Sequence, residues 1–316
     1  MEVQEIVTGG TLHGLVSIGE LSRLTGVAVR TIRFYCDSGI VESTRTTGGH
    51  RMFDKGTAVD RLLLVRRLRA LGVGLVAIAA VLTGEQSMAE ALAAERAAVD
   101  VELGALAWRR ASLRAIENAT PAERATRLEL LAEVSDGGSA HDSVVTFWRR
   151  ILTPMPSDMF EDFRSMNVPD PLRDPTPEQV VGYAELVALV AEPRFAAVVS
   201  QQLWRPGPTP IRDKVGLLSG VAEACGMAES QIHEGRAPCS GRALDRFVDA
   251  HATARGERDT PGFRERLRVG LHDNDPRTQR YWRLTSEITG ATITVGAGQL
   301  WLYNALDRST GGPVSR

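Results

Sequence analysis

The sequence predicts a mainly α-helical protein with one small β-hairpin near its N-terminus. Three observations support this fold class. Short apolar stripes at helical spacing, separated by glycines, fill residues 15–83. A proline-free run rich in Ala, Leu, Glu and Arg extends from Glu85 to Ile116 and is typical of a long helix. Helical periodicity dominates the remainder, where the best of the few strand signals runs from Ala291 to Val295.

Length and composition indicate a globular protein of about two domains. The chain has 316 residues, of which 43% are hydrophobic, and no apolar run as long as a membrane span. The N-terminal segment MEVQEIVTGG carries acidic residues where a secretory signal has basic ones. We therefore expect a cytoplasmic protein with no membrane partner. Three cysteines, Cys36, Cys225 and Cys239, are too few for a disulfide framework.

The charge is distributed unevenly along the chain. Residues 15–83 contain ten Arg and Lys against five Asp and Glu, whereas residues 84–316 have a net charge of −5. A basic module joined to an acidic remainder is typical of a nucleic-acid-binding domain attached to a second domain with another role.

Two short helices come first. Ser17 and Glu20 fit a capping box, which predicts a helix that begins after Ser17 and ends at Gly26. A second helix follows from Val29, with Gly39 as its C′ residue. We expect its inward face to be formed by four apolar residues, namely Val29, Ile32, Phe34 and Tyr35. Its other face carries Arg30, Thr31 and Arg33.

A β-hairpin is expected directly after these helices. Its two strands are expected at residues 40–41 and 51–53, which flank a loop that contains Gly48 and Gly49. Two helices about a Gly-containing turn form a helix-turn-helix, and the hairpin is its wing. A further helix pair is predicted over residues 54–70 and 75–82, because Leu and Val recur at helical spacing there.

These motifs resemble the DNA-binding domain of the MerR family of bacterial transcription regulators. The resemblance rests on IGELSRLTGV, VRTIRFY, SGIV, GGHR and RLLLVRRLRALGVGL in that order, and covers about residues 15–82. This sequence departs from the family at Ala28, where a Ser cap is usual, and at Cys36, where an acid is usual. The resemblance implies double-stranded promoter DNA as a partner. It implies DNA contacts by Arg30, Thr31, Arg33, Tyr35, Arg45, His50 and Arg51. The outer face of the next helix carries Arg61, Arg66, Arg67 and Arg69, and we expect one or two of these, with Arg61 and Arg66 as the candidates, to contact phosphate. We expect Phe34 and Phe53 to fill the small core instead.

The long helix carries a heptad of apolar residues. Leu92, Val99, Leu106 and Leu113 recur at every seventh position. The alternative is a surface helix that packs on its own C-terminal domain. The resemblance favours a homodimer formed through an antiparallel coiled coil, which reads two half-sites of a near-palindrome.

The remaining residues predict an all-α domain. Thr120 and Thr176 each precede a Pro and start a helix, and helical periodicity recurs in residues 177–191, 211–224, 241–253, 262–271, 276–289 and 294–307. The predicted organisation is a flexible tail (1–14), a winged helix-turn-helix domain (15–83), a dimerisation helix (84–118) and an effector-binding domain (119–316).

Neither a metal site nor an active site is indicated in the C-terminal domain. Cys225, His233 and Cys239 lack the compact spacing of metal ligands, so we expect no metal. No phosphate loop, H-E-x-x-H or G-x-S-x-G motif occurs, so we expect neither catalysis nor a cofactor.

Aromatic residues suggest a pocket for a small organic effector. The candidates, Trp204, Tyr281, Trp282, Trp301 and Tyr303, combine a flat ring with a polar group. The alternative is that they fill the core. The resemblance implies a nucleoid-associated regulator that distorts promoter DNA when the effector binds and acts on RNA polymerase indirectly. A second hypothesis is an effector-independent architectural protein whose C-terminal domain recruits a protein partner.

Overall fold

A computed structural model describes residues 14–46, 49–153, 155–204, 208–269, 275–291 and 293–310. The chain divides into two compact units, with the boundary between Glu102 and Leu103. The predicted tail (1–14) lies outside the described residues except for Gly14. The other predicted boundaries, at 83 and 118, differ from this division and stay predictions.

The first unit contains four short helices, three strands and the beginning of a long helix. The helices are α1 (Ile18–Thr25), α2 (Val29–Asp37), α3 (Lys55–Ala70) and α4 (Leu75–Thr83). The strands are β1 (Leu15–Ser17), β2 (Thr44–Arg45) and β3 (Arg51–Asp54), which form an antiparallel sheet in the order β1-β3-β2. The apolar sides of these elements enclose one core around Leu21, Ile32, Phe53 and Leu62.

Local sequence explains where these helices begin and end. The Ser17 hydroxyl accepts a hydrogen bond from the Glu20 backbone N–H, and α1 ends at Gly26, whose φ of 69° is in the left-handed region. Gly39 follows α2 with a φ of 74°. Asp54 caps α3 by accepting from the backbone N–H of Thr57. The predicted bounds of α1 to α4 are thus confirmed to within about one residue.

The small sheet differs from the prediction in two places. Strand β2 is formed by Thr44 and Arg45, whereas Ile40 and Val41 precede it as buried core residues. Strand β1 was not predicted, because three residues are too few to show an alternating pattern. It pairs Val16 with Phe53. The loop residue Gly48 lies outside the described residues.

A thirty-residue helix, α5 (Met88–Glu117), contains the boundary between the two units. The sequence predicted this helix with an earlier start, at Glu85. Instead, Ser87 and Glu90 form the N-terminal cap, since the Glu90 carboxylate accepts hydrogen bonds from both the backbone N–H and the hydroxyl of Ser87.

The second unit is all-α within the described residues. Its first core is formed by the end of α5 and by α6 (Pro121–Ala132), α7 (Gly137–Ile151), α8 (Ser157–Asn167), α9 (Pro177–Ala191), α10 (Phe195–Trp204) and α14 (Pro276–Thr289). Its second core is formed by α11 (Lys214–His233), α12 (Arg242–Thr253), α13 (Pro261–Val269) and α15 (Val295–Ser309). We call these two groups of helices the first and second bundles.

The fold class is confirmed, with three helices that the sequence did not identify. The missed helices are α7, α8 and α10. Helix α7 begins with two glycines, Gly137 and Gly138, although its buried residues Val144, Phe147 and Ile151 lie at helical spacing. The strand-like signal at Ala291 to Val295 does not give a strand at its C-terminal end, where Thr294 caps α15 and Val295 is its first residue, in agreement with the helix predicted over residues 294–307. Among the described helices, none combines the length and the apolar character needed to cross a membrane.

Candidate functional site

Helix α2 presents two arginines without an internal partner. Arg30 and Arg33 lie one helical turn apart and are exposed, and Thr31 beside them is half-buried. Within the described residues, neither guanidinium group forms an ion pair or a hydrogen bond. The helix has no side-chain cap, since Ala28 occupies the N-cap position. Two unneutralised cations on one exposed face are suited to contact phosphates or base edges.

Arg45 and His50 extend this exposed polar surface to the wing. Arg45 is exposed on β2 and has no ion-pair partner in the described part of the chain. The His50 backbone is fixed by Thr46, whose hydroxyl accepts from the His50 N–H and whose own N–H donates to the His50 carbonyl. The His50 side chain is exposed at the tip of the hairpin.

Arg51 connects the wing to the end of α2. Its guanidinium group donates to the Asp37 carboxylate at 2.7 Å, and its side chain is 26% exposed. The hydrogen bond that Arg51 donates to Asp37 raises the pKa of Arg51. Burial raises the pKa of the neighbouring Cys36 thiol. Arg51 therefore positions the wing against α2, and part of its charge is already neutralised.

Two further predicted DNA contacts also have partners within the protein. Arg61 on α3 lies 3.6 Å from the Glu42 carboxylate. Arg66 donates to the Thr25 carbonyl at 2.8 Å and so caps the C-terminal end of α1. These side chains are therefore less available than Arg30, Arg33 and Arg45.

The two aromatic residues of α2, which were both expected on its inward face, differ in exposure. Phe34, expected in the core, is 53% exposed, whereas Tyr35 is only 9% exposed and belongs to the core. On a helix, adjacent residues point about 100° apart, so only one of the two can face Ile32 and Leu62. The prediction for Phe34 is wrong, and that for Phe53, which is fully buried, is confirmed.

Comparison with known proteins agrees with this geometry. Residues 16–85 match the family model described as MerR HTH family regulatory protein. This segment is a MerR-type helix-turn-helix domain. The match includes α1 to α4 and the three-stranded sheet, apart from the first residue of β1.

Several relatives are similar over 56 to 87 residues of the chain. Nodulation protein NolA of Bradyrhizobium diazoefficiens is 39% identical over 87 residues, which are 27% of this chain and 36% of that protein. HTH-type transcriptional regulator GlnR of Bacillus anthracis is 35% identical over 25% of this chain and 60% of that protein. The mercuric resistance operon regulatory protein of Bacillus cereus is 45% identical over 17% of this chain and 42% of its own length. The chain thus spans about a third of the length of the NolA proteins it matches. No solved structure matches the chain.

The predicted heptad lies on an exposed side of α5. Leu92, Val99, Leu106 and Leu113 are all exposed in the single chain. The opposite side of the helix is occupied by Trp108, Ala111 and Ala115, which are buried in the first bundle. The helix therefore packs on its own C-terminal unit, as the alternative interpretation expected, and still presents an apolar seam that has no partner within the described residues.

A cavity of about 1000 Å³ lies between the first and second bundles of the second unit. Three of the five predicted ligand-binding aromatics line it, namely Tyr281, Trp282 and Tyr303. Trp204 and Trp301 do not line it. The Trp301 indole donates to the Arg236 carbonyl at 3.0 Å, and the Trp204 indole packs beneath the Lys214 ammonium at 4.6 Å.

A hydrogen-bonded chain fixes one wall of the cavity. The Trp148 indole N–H donates to the Tyr281 hydroxyl at 2.6 Å, and this hydroxyl donates to the Asn167 carbonyl at 2.8 Å. Burial raises the pKa of Tyr281, so the hydroxyl stays protonated. Tyr281 is therefore a structural part of the wall rather than a free hydrogen-bonding group for a ligand.

Residues of α11 form another wall, which sequence reasoning did not identify. Ala222, Cys225, Gly226 and Glu229 line the cavity at helical spacing. Burial raises the pKa of the Cys225 thiol to about 12, so this side chain is neutral and apolar near pH 7. Trp282 lies against the backbone of α15 at Gly296, where an added Cβ would lie only 2.1 Å from the indole.

Proposed function

We propose that this protein is a DNA-binding transcription regulator that acts as a homodimer and responds to a small organic effector. The observation that carries the proposal is the pair of exposed, unpaired arginines, Arg30 and Arg33, on the second helix of a MerR-type domain. This helix enters the major groove, where a bidentate Arg contact with guanine distinguishes bases by about 1–3 kcal/mol.

The wing holds the recognition helix in register on the duplex. Arg45 and His50 contact phosphates beside the groove, and Arg51 supports them through its ion pair with Asp37. The predicted contact by Tyr35 is reduced to its hydroxyl at most, because the ring belongs to the core. Phe34 takes its place as the exposed aromatic of this helix.

The exposed seam of α5 joins two copies of the chain. Burial of Leu92, Val99, Leu106 and Leu113 against the same residues of a second copy removes four exposed leucine and valine side chains from water. The dimer then binds two half-sites and bends or twists the promoter between them, so that RNA polymerase is affected indirectly. The dimer has one geometry in the absence of the effector and another in its presence. An effector changes the equilibrium between these two geometries only if it binds one of them more tightly than the other.

Binding of promoter DNA tests the proposal directly. Genome-wide mapping of bound sites supplies the promoter fragments, and their retention is measured by electrophoretic mobility shift over a series of salt concentrations. We expect Arg33→Ala to weaken specific binding by roughly tenfold or more, since a good base contact contributes about 1–3 kcal/mol. Arg173→Ala is the matched control, because Arg173 is an exposed arginine of the second unit.

Two results contradict the proposal. One is a wild-type protein that does not retain promoter fragments even at low ionic strength. The other is an Arg33→Ala variant that binds as tightly as Arg173→Ala. A third result favours the effector-independent architectural role instead. In that case DNA binding is normal and a protein partner copurifies, but no ligand stabilises the protein against heat.

A further inference from the structure

We propose that the cavity of the second unit selects an organic cation with a planar aromatic group, and that the Glu229 carboxylate is its counter-charge. This inference rests on the effector role proposed above and adds the chemical class of the effector. It follows from the rings, the charges and the open space along the cavity wall.

Aromatic rings form a continuous surface on the side of the first bundle. Trp148 contacts Phe163 with 4.9 Å between ring centroids, and Tyr281 contacts both Trp148, at 5.7 Å, and Trp282, at 5.0 Å. All four residues line the cavity. Trp148 and Tyr281 are buried, whereas Phe163 and Trp282 are half-buried, so the latter two carry the aromatic surface that reaches the cavity. An aromatic ring attracts a cation more strongly than a neutral or anionic group of the same shape.

The charged residues that line the cavity are predominantly acidic. Four carboxylates, Glu229, Asp275, Glu287 and Asp307, accompany two arginines, Arg268 and Arg283. Each arginine already has an acidic partner, since Arg268 lies 3.3 Å from Asp307 and Arg283 lies 3.8 Å from Glu287. Among the described residues of the lining, carboxylates therefore outnumber guanidinium groups by four to two, which favours a cationic ligand over an anionic one.

Glu229 differs from the other three carboxylates. Asp275 pairs with Arg277 at 2.7 Å, and Glu287 and Asp307 pair as stated. In the part of the chain that the structure describes, the Glu229 carboxylate forms neither an ion pair nor a hydrogen bond. It lies one helical turn after Cys225 on α11, beside an apolar wall. A ligand that covers this wall displaces water from the carboxylate, which strengthens its attraction for a cation.

Gly226 leaves room for the ligand on the same helix. It has an ordinary helical conformation, and a Cβ built at this position meets no atom within 4 Å. A larger side chain at Gly226 would therefore project into the cavity without displacing the protein. The position allows the cavity to be filled by one substitution while the fold is kept.

Calorimetric titration with three acridines of the same shape tests the proposal. Aminoacridine is a cation at neutral pH, acridine is neutral and acridine carboxylate is an anion. We expect the 316-residue protein to bind aminoacridine at least tenfold more tightly than the carboxylate. Glu229→Gln is expected to weaken aminoacridine binding roughly tenfold, as expected for loss of a charged hydrogen bond, and to leave acridine binding unchanged. Glu223→Gln is the control on α11, because Glu223 is exposed like Glu229 but pairs with Arg246 at 2.6 Å and does not line the cavity.

A second pair of variants tests the location. Gly226→Leu is expected to abolish binding of all three compounds with no loss of thermal stability, whereas Ser230→Leu, on α11 outside the cavity lining, retains binding. Equal affinity for the three compounds, absence of binding, or an unchanged affinity in Glu229→Gln would overturn the inference. Promoter retention by the same preparation separates this failure from failure of the DNA-binding proposal.

Discussion

The Tyr281 hydroxyl is expected to stabilise the second unit more than any other tyrosine hydroxyl among the described residues. It accepts from the Trp148 indole and donates to the Asn167 carbonyl, and the Tyr281 side chain is 1% exposed. Tyr281→Phe leaves both partners buried and unsatisfied. Since each such group costs about 1–3 kcal/mol, we expect a loss of about 3 kcal/mol in the free energy of unfolding.

Tyr183 provides a matched comparison. Its hydroxyl donates to the Pro169 carbonyl, which also accepts from His141 Nδ1 at 2.9 Å. In Tyr183→Phe this carbonyl keeps one donor, so the loss is that of a single hydrogen bond, about 1 kcal/mol. Urea unfolding followed by circular dichroism measures both values. Equal losses in the two variants would refute the reasoning, because they would mean that the paired groups at Tyr281 find other partners.

Two further predictions concern a helix cap and the dimer. Asp136 accepts from the Ser139 backbone N–H at the start of α7, and this hydrogen bond lowers the pKa of its carboxyl. Asp136→Ala is therefore expected to lower the free energy of unfolding by about 1 kcal/mol at pH 7. This loss should become smaller as the pH falls below about 4, where the carboxylate becomes protonated. Urea unfolding over a pH series measures the loss, and a loss that does not change with pH contradicts the prediction. Leu106→Glu places a charge in the exposed seam of α5 and is expected to convert the dimer to a monomer in sedimentation experiments. Val101→Glu lies on another side of the helix and should sediment as the wild type does. If the two variants sediment identically, the proposal that this seam forms the dimer is wrong.

The N-terminal domain could be predicted closely because its signals are local. The ends of α1 and α2 are determined by residues within one helical turn of them, namely Ser17, Gly26 and Gly39. The positions of these helix ends can therefore be predicted from the local sequence alone. Exposure of Arg30 and Arg33 follows from the same periodicity, since Ile32 and Tyr35 occupy the buried side. The burial expected for Phe34 is wrong because its position on the helix, and not its hydrophobic character, determines its exposure.

The internal partners of Arg51 and Arg66 could not be predicted in the same way. Arg51 meets Asp37 fourteen residues away, and Arg66 meets the Thr25 carbonyl forty-one residues away. Such contacts depend on how elements pack, which sequence spacing does not encode. Charge counts treated these arginines as equivalent to Arg30 and Arg33, although packing has already assigned them partners.

The cavity was only partly predictable for a related reason. Aromatic composition pointed to Trp282 and Tyr303, and it pointed equally to Trp301, whose indole is bonded to the Arg236 carbonyl. Composition cannot separate a ring that lines a cavity from one that fills a core. On α11 the small residues Ala222, Cys225 and Gly226 precede Glu229 on one side of the helix. The sequence does not show that this side lines a cavity or that the carboxylate has no partner among the described residues, because both depend on how the helices pack.

Helix α5 carries two apolar sides, and the heptad repeat identifies only one of them. The repeat of seven drew attention to Leu106 and Leu113, which are exposed, whereas Trp108 and Ala111 lie between them in sequence and are buried. At 100° per residue, Trp108 projects about 160° away from Leu106, so the two sets occupy nearly opposite sides. An apolar residue off the heptad is therefore evidence for a second contact surface. The coiled-coil and packed-helix interpretations are compatible, because each uses a side of the helix that the other leaves free.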